Sequence, residues 1–403
     1  MARHVNNKVT IVAFEFFIFS LATNTFLSIY AQNLVDLGCS MTTINLLTSL
    51  FLGRGLITGL ILLNFGFLVS ILGRRLVLIL SSTSLCLLTL GFLLINVRYS
   101  PTILVLAFTF YPLGMLLGTS LKSLVAHLSS ESSYGGTYGK LMSSYFIAAA
   151  LSEVGIGYIA DRLGYLYVYV ILASLTFMLI TLSVIVGGMV KSLAGSPRGG
   201  SRVSLKDVFS IPKSLRVYYV IISIDSIAWG FTFVLGGILR NKPFSFTNTQ
   251  ITIIFSTAMI LAGIFSGYMG KICDKVGEFK FMLIAESIGV ICQLIILSTC
   301  NFYAILIESV LFGISISFWF PAIYSYVSKV ASNVDFEMGR LDSLRCFTMA
   351  PSIALGGLLY DSLGYKVPYY CSIAMLLLNI LVILSYMTSK KSKLVIGESS
   401  TLR

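Results

Sequence analysis

The chain has 403 residues, 57 % of them hydrophobic and 11 % charged, and its mean hydropathy is +0.92. Soluble domains carry roughly 25 % charged residues, so a water-soluble protein is excluded. The net charge of +12 would suit a nucleic-acid binder, but the aromatic residues lie within apolar runs and not among basic clusters, which excludes that partner.

Apolar segments close to the ~20 residues that span a bilayer recur along the whole chain. The pattern predicts an all-α polytopic membrane protein with twelve transmembrane helices. They cover residues 9–35, 42–63, 76–97, 101–128, 138–160, 166–190, 216–239, 248–271, 279–298, 303–328, 338–360 and 367–387. They are called spans 1 to 12. Residues 191–215, rich in Ser, Gly, Pro and basic side chains, form the one long linker. The expected domains are a six-helix bundle over 1–190, the linker 191–215, a second six-helix bundle over 216–387, and a polar tail over 388–403.

Most of the 28 lysines and arginines fall on one side of this topology. The other side keeps only Arg98, Arg162, Arg240, Lys242 and Lys366. The positive-inside rule then puts both termini in the cytoplasm of a cell-membrane protein. Anionic lipid headgroups are the expected partner of the basic side. The seven cysteines include no CxxC pair and the two histidines, His4 and His127, are far apart, so no metal site is expected. No GxxxxGK[ST] loop is present, which argues against a nucleotide-driven pump, and neither enzymatic activity nor a cofactor is expected.

Two repeats set the architecture. Residues 139–165 and 339–365 align without a gap at an offset of 200. They share Gly139/Gly339, Leu141/Leu341, Ser143/Ser343, Ala150/Ala350, Ser152/Ser352, Gly157/Gly357, Asp161/Asp361, Leu163/Leu363, Gly164/Gly364 and Tyr165/Tyr365. A chain that repeats itself at half its length is two related halves. In a membrane protein this usually means a transporter with its site between them. The second repeat pairs GFLVSILGRR, from Gly66, with GKICDKVGEFK, from Gly270. It follows spans 2 and 8, with Gly66/Gly270 and Gly73/Gly277 at an offset of 204.

These motifs resemble the major facilitator superfamily over nearly the whole chain. The family's inner-loop pattern is Gly–x–Leu–x–Asp–Arg–x–Gly–Arg–Lys. The second copy matches at Gly270, Asp274, Lys275, Gly277 and Lys280, and the first at Gly66, Leu68, Gly73, Arg74 and Arg75. The first copy departs at Ser70 and Ile71, where the family has Asp–Arg. The family's span-4 arginine and the Gly–Pro of its antiporter-associated span-5 motif are also absent. The resemblance implies two pseudo-symmetric bundles that rock about a central cavity. Spans 1, 4, 7 and 10 would line that cavity, spans 2, 5, 8 and 11 would meet between halves, and spans 3, 6, 9 and 12 would be peripheral. It implies secondary transport of a small solute by a monomer. In the family, the motif's aspartate braces its loop against a helix start in the opposite half. Asp274 is therefore expected to reach the start of span 5 near residues 137–140, where free N–H groups favour an anion. Arg74 and Arg75 face Asp335 and Glu337.

Charged side chains deep in a span cost about 2.5–3.5 kcal/mol each, so each needs a reason. Asp225 is the first candidate for proton coupling, followed by Glu308 and Glu153. Tyr218, Asp225, Trp229 and Thr232 share one face of span 7, and Glu308, Phe312, Ser315, Trp319 and Tyr326 one face of span 10. Tyr111 and Lys122 on span 4, Asn24 on span 1 and Arg54 on span 2 complete the candidate cavity. Competing structural readings stand beside these. The aromatic stripes would be packing, Asp225 would pair with Arg54, Lys122 would snorkel, Glu286 would be structural, and Asp342–Arg345 would be a local i, i+3 pair. The expected activity is proton-coupled transport, with export of an amphipathic, drug-like solute as the first reading. Import of a metabolite by a symporter or uniporter, and a non-transporting receptor on the same fold, are the alternatives.

Overall fold

A computed structural model of the chain describes residues 2–37, 47, 49–52, 55–128, 134–191, 211–233, 239, 243–246 and 248–400. Among these there is no strand. The helices are α1 (Ala2–Asp36), α2 (Leu56–Leu63), α3 (Phe65–Leu72), α4 (Arg74–Val97), α5 (Pro101–Leu128), α6 (Tyr134–Leu163) and α7 (Tyr165–Lys191). After the linker come α8 (Arg216–Phe231), α9 (Asn248–Val276), α10 (Glu278–Ser298), α11 (Phe302–Val330), α12 (Val334–Leu363) and α13 (Lys366–Ser400). Span 2 ends in α2, and a 47° bend separates it from α3. Spans 3 to 12 are α4 to α13 in order.

Eight of the described helices are long and apolar enough to cross a membrane, and the bent pair is a ninth. The two long helices outside that set, α6 and α12, have 30 residues each. They carry more polar residues because much of their surface meets the other half instead of lipid.

The helices run further than their apolar spans. α9 continues through the inner-loop motif to Val276 and α3 continues to Leu72, so each expected loop is a break at a single glycine. Gly73 and Gly277 have φ of 78° and 99°, and at the opposite end Gly164 and Gly364 have 87° and 90°. Side chains other than glycine rarely adopt this backbone. The four breaks fall into the two pairs that the repeats align, so the halves turn their chain at equivalent places.

The contacts between halves follow the same symmetry. α6 packs most extensively on α9, and α12 packs on α2 and α3. Glycines set the approach. A Cβ on Gly139 would strike the backbone of Ser266 and Gly267, and one on Gly339 would strike the Leu62 carbonyl. Likewise Gly270 lies against the backbone of Gly135, and Gly66 against Phe336. Gly139/Gly339, Leu62/Ser266 and Gly66/Gly270 are related by the repeat offsets of 200 and 204, and Gly135 and Phe336 depart from the first of these offsets by one residue. Within the first half, Phe26, Phe92 and Phe108 pack edge to face around Tyr111 and Tyr169.

A sealed end and a cavity between the halves

The end of the molecule that bears the linker is closed by two latches. In the first, the backbone N–H groups of Gly135 and Gly136, at the start of α6, donate to the two carboxylate oxygens of Asp274, each at 2.8 Å. A helix N-terminus presents free N–H groups and a partial positive charge, worth about 0.3–1 kcal/mol to an anion and up to ~2 kcal/mol when partly buried. The contact falls one turn ahead of the expected 137–140, because α6 begins earlier than its apolar span. Lys329 adds Nζ contacts of 3.4 Å to Asp274 and 2.5 Å to Glu278.

The second latch uses opposite chemistry at the equivalent place. Arg74 pairs with Asp335 in the first turn of α12, and the Ser123 hydroxyl donates to the same carboxylate. His127 Nε2 lies 3.4 Å from it. Here the first half supplies the cation and the second half the acid, so the missing aspartate at Ser70 is replaced. Ser70 itself is exposed and bonds only within its own turn, to the Phe67 carbonyl. Arg75, Lys275 and Lys280 stay at the surface. The Arg75 stem packs on Gly187. Glu337 accepts from Tyr219 and from Arg340, at 2.7 Å for the latter, so it does not meet Arg75.

Above the latches lies a buried ionic junction. Lys122 pairs with Asp342 across the halves, and Thr119 donates to Asp342 Oδ2 at 2.6 Å. Tyr324 donates to Asp342 Oδ1 at 3.2 Å, and its ring lies 4.6 Å from the Lys122 ammonium. Tyr138 closes the group through the Lys122 carbonyl at 2.8 Å and Ser328 at 2.9 Å. Two expectations are corrected here. Lys122 neither lines the cavity nor snorkels to headgroups, since it is only 8 % exposed and ion-paired. Asp342 spends its charge on Lys122 and not on Arg345.

Further along the axis a cavity of about 390 Å³ opens between the halves. From the first half it is lined by Asn24 on α1 and by Tyr145, Phe146, Ala149 and Glu153 on α6. The second half supplies Asp225 and Trp229 on α8, Glu286 and Gln293 on α10, Glu308, Phe312, Ser315 and Trp319 on α11, and Arg345 and Met349 on α12. Positions 145/345 and 149/349 are equivalent in the repeat, so α6 and α12 offer the same face to the same space. The expected residues Asn24, Glu153, Asp225, Trp229, Glu308, Ser315 and Trp319 all line it. Tyr111 and Tyr218 do not. Tyr111 is buried beside Phe26 inside the first half. Tyr218 lies nearer the sealed end and donates to the Ile323 carbonyl at 2.5 Å. Arg54 lies outside the described residues.

Two charged residues of this lining were given structural roles from the sequence. Glu286 is on span 9, which the resemblance assigned to the periphery, yet it is 2 % exposed and interacts electrostatically with Asp225. Asn379 of α13 donates to its Oε1 at 2.7 Å. The rarity of acids within spans was the signal that could have promoted it. Arg345 is 5 % exposed and sits over the Phe320 ring at 5.0 Å.

Comparison with known proteins agrees with this geometry. The sequence profile described as Major Facilitator Superfamily matches residues 12–339 and 219–400. The chain belongs to the major facilitator superfamily. Among solved structures with the same fold is the human organic anion transporter MFSD10 (TETRAN), at 15 % identity and a TM-score of 0.69, covering 94 % of this chain and 99 % of that one. The superfamily transporter FucP in its outward conformation matches at 14 % identity and a TM-score of 0.71, over 93 % and 97 % of the two chains. The proton:xylose symporter XylE, bound to 6-bromo-6-deoxy-D-glucose, matches at 12 % identity and 0.72, over 96 % of each. No curated protein matches the sequence. The protein is therefore a multi-pass membrane protein of a transporter superfamily.

Proposed function

We propose that this superfamily member is a proton-coupled secondary transporter that moves a small organic solute by alternating access across the cell membrane, with its linker end towards the cytoplasm. The observation that carries the coupling is that the Asp225 and Glu286 carboxyl groups line one cavity and interact there. Two neighbouring carboxyl groups resist ionising together, so one of them holds a proton more firmly. A change in solvation as the cavity opens to one side or the other changes which form is favoured. The pair thus provides a place where a proton is carried with, or exchanged for, the solute. Glu308 and Glu153 line the same space and supply further carriers. Sealing of the linker end supports the alternating-access part of the reading, since both latches join opposite halves and together hold that end closed.

The test uses purified protein in liposomes loaded with a pH-sensitive dye. Solutes that stabilise the protein against heat are added outside under no imposed gradient. Coupled transport makes the lumen pH change with solute entry, and its sign reports symport or antiport. In Asp225→Asn the pH change is lost while thermal stabilisation by the solute remains. Solute movement with no proton movement would remove the coupling, and binding with no movement of anything would favour a receptor.

A further inference from the structure

Among the described residues that line the cavity, Arg345 is the one basic side chain. Its Nε and Nη1 donors have no hydrogen-bond partner. No carboxylate among the described residues forms an ion pair with it, and Asp342, one turn earlier on α12, is occupied by Lys122, Thr119 and Tyr324. A buried cation left without an acceptor is destabilising, and a partner that arrives from outside would relieve that. A second donor in the lining is also unsatisfied. The indole N–H of Trp319, a residue 6 % exposed, has no acceptor. Around both stand Phe312, Phe320 and Trp229, which offer flat apolar surface.

We infer that the solute is an organic anion with an aromatic or other flat apolar body, and that Arg345 binds its carboxylate or equivalent anionic head. The head takes up the free guanidinium donors, with the Trp319 N–H as a further donor in the same lining. The body lies among the aromatic walls. The lining also holds unsatisfied acceptors on Gln293 and Glu153, so the solute carries an N–H or O–H group as well. A cavity of about 390 Å³ holds one small molecule of this kind, within the range of ordinary ligand sites. This inference rests on the cavity being the transport site proposed above.

The experiment compares indole-3-acetate, indole-3-acetamide and tryptamine, which keep one aromatic N–H body and change the head from anion to neutral to cation. Binding is read as a rise in melting temperature of the purified full-length protein. Indole-3-acetate is expected to stabilise the wild type, with the other two giving smaller shifts. Arg345→Gln should weaken indole-3-acetate by about ten- to a hundredfold, the usual loss for hydrogen bonds to a charged group, and should erase the preference for the anion. Because its Nε and Nη1 donors lack acceptors, ligand-free Arg345→Gln should melt at or above the wild-type temperature. A fall of several degrees would instead show Arg345 to be half of a structural pair and overturn the inference. So would equal or better stabilisation by tryptamine, an anion preference that survives in Arg345→Gln, or no shift with any of the three. Each of these leaves proton-coupled transport standing, because that reading is judged by proton movement with whichever solutes bind.

Discussion

At the level of single residues, partner choice is decided by three-dimensional approach and not by spacing along a helix. Asp342 has an arginine three residues away, yet it pairs with a lysine from the opposite half. Removing one member of such a buried pair leaves the other uncompensated and costs about 3–5 kcal/mol. Lys122→Met and Asp342→Asn should each lower the melting temperature markedly, and the double variant Lys122→Met/Asp342→Leu should be more stable than either. Additive losses would show that the two residues act separately. Asp335, ahead of the apolar span of α12, illustrates the opposite case. Burial acts to raise its pKa, but Arg74, His127 and the Ser123 hydroxyl outweigh that and hold the carboxyl well below the usual carboxylate range. A carboxyl depressed in the folded state stabilises the fold above its unfolded pKa, near 3.8, and loses that contribution as pH falls through the lower folded value. The melting-temperature gap between wild type and Asp335→Asn should therefore be present at neutral pH and close below about pH 4. A gap that persisted unchanged below about pH 3 would mean that the carboxylate's charge does not stabilise this latch. Glu286 and Arg345 could not be placed from sequence for the same reason that Lys122 was misplaced. Which face of a span looks inward depends on packing, and a family-wide assignment of peripheral spans hid the inward face of α10.

At the level of elements, the architecture was far more legible. Span positions followed from apolar runs, because backbone groups in lipid must be satisfied within a helix. The inter-half seams followed from the repeat, whose glycines turned out to sit where backbones touch. What composition could not show was that helices persist into polar loops until a single glycine with positive φ stops them. Gly139 and Gly339 make equivalent close approaches, so Gly139→Val and Gly339→Val should impair closure alike, each forcing its seam apart. The readout is maleimide labelling of Cys273, which is fully buried next to Asp274, in a protein whose other cysteines are serine. Labelling should quicken in Gly139→Val, whose seam holds Cys273, and change less in Gly339→Val, whose seam is α2–α12. Asp274→Asn should also speed it, by about tenfold or more if one charge-assisted pair of hydrogen bonds is lost. Unchanged labelling in Asp274→Asn would mean that the α6–α9 seam does not depend on that carboxylate.

At the scale of the whole molecule, the halves are alike in shape but not in charge. One seam is held by a side-chain ion pair that is 10 % and 17 % exposed on its two members. The other is held by a carboxylate on backbone N–H groups, a contact set by helix geometry. Dissolved salt shortens the reach of exposed charges from ~10 Å at 0.1 M to ~3 Å at 1 M, and it acts less on a carboxylate already seated on a helix end. The α3–α12 edge should consequently loosen first, with α6–α9 serving as the hinge pin. Spin-label distances across each edge, taken at low salt and at about 1 M, should lengthen across α3–α12 alone. The machine would then swing like a door and not gape like a clam, and a departing solute would be handed out sideways through a single lateral slot.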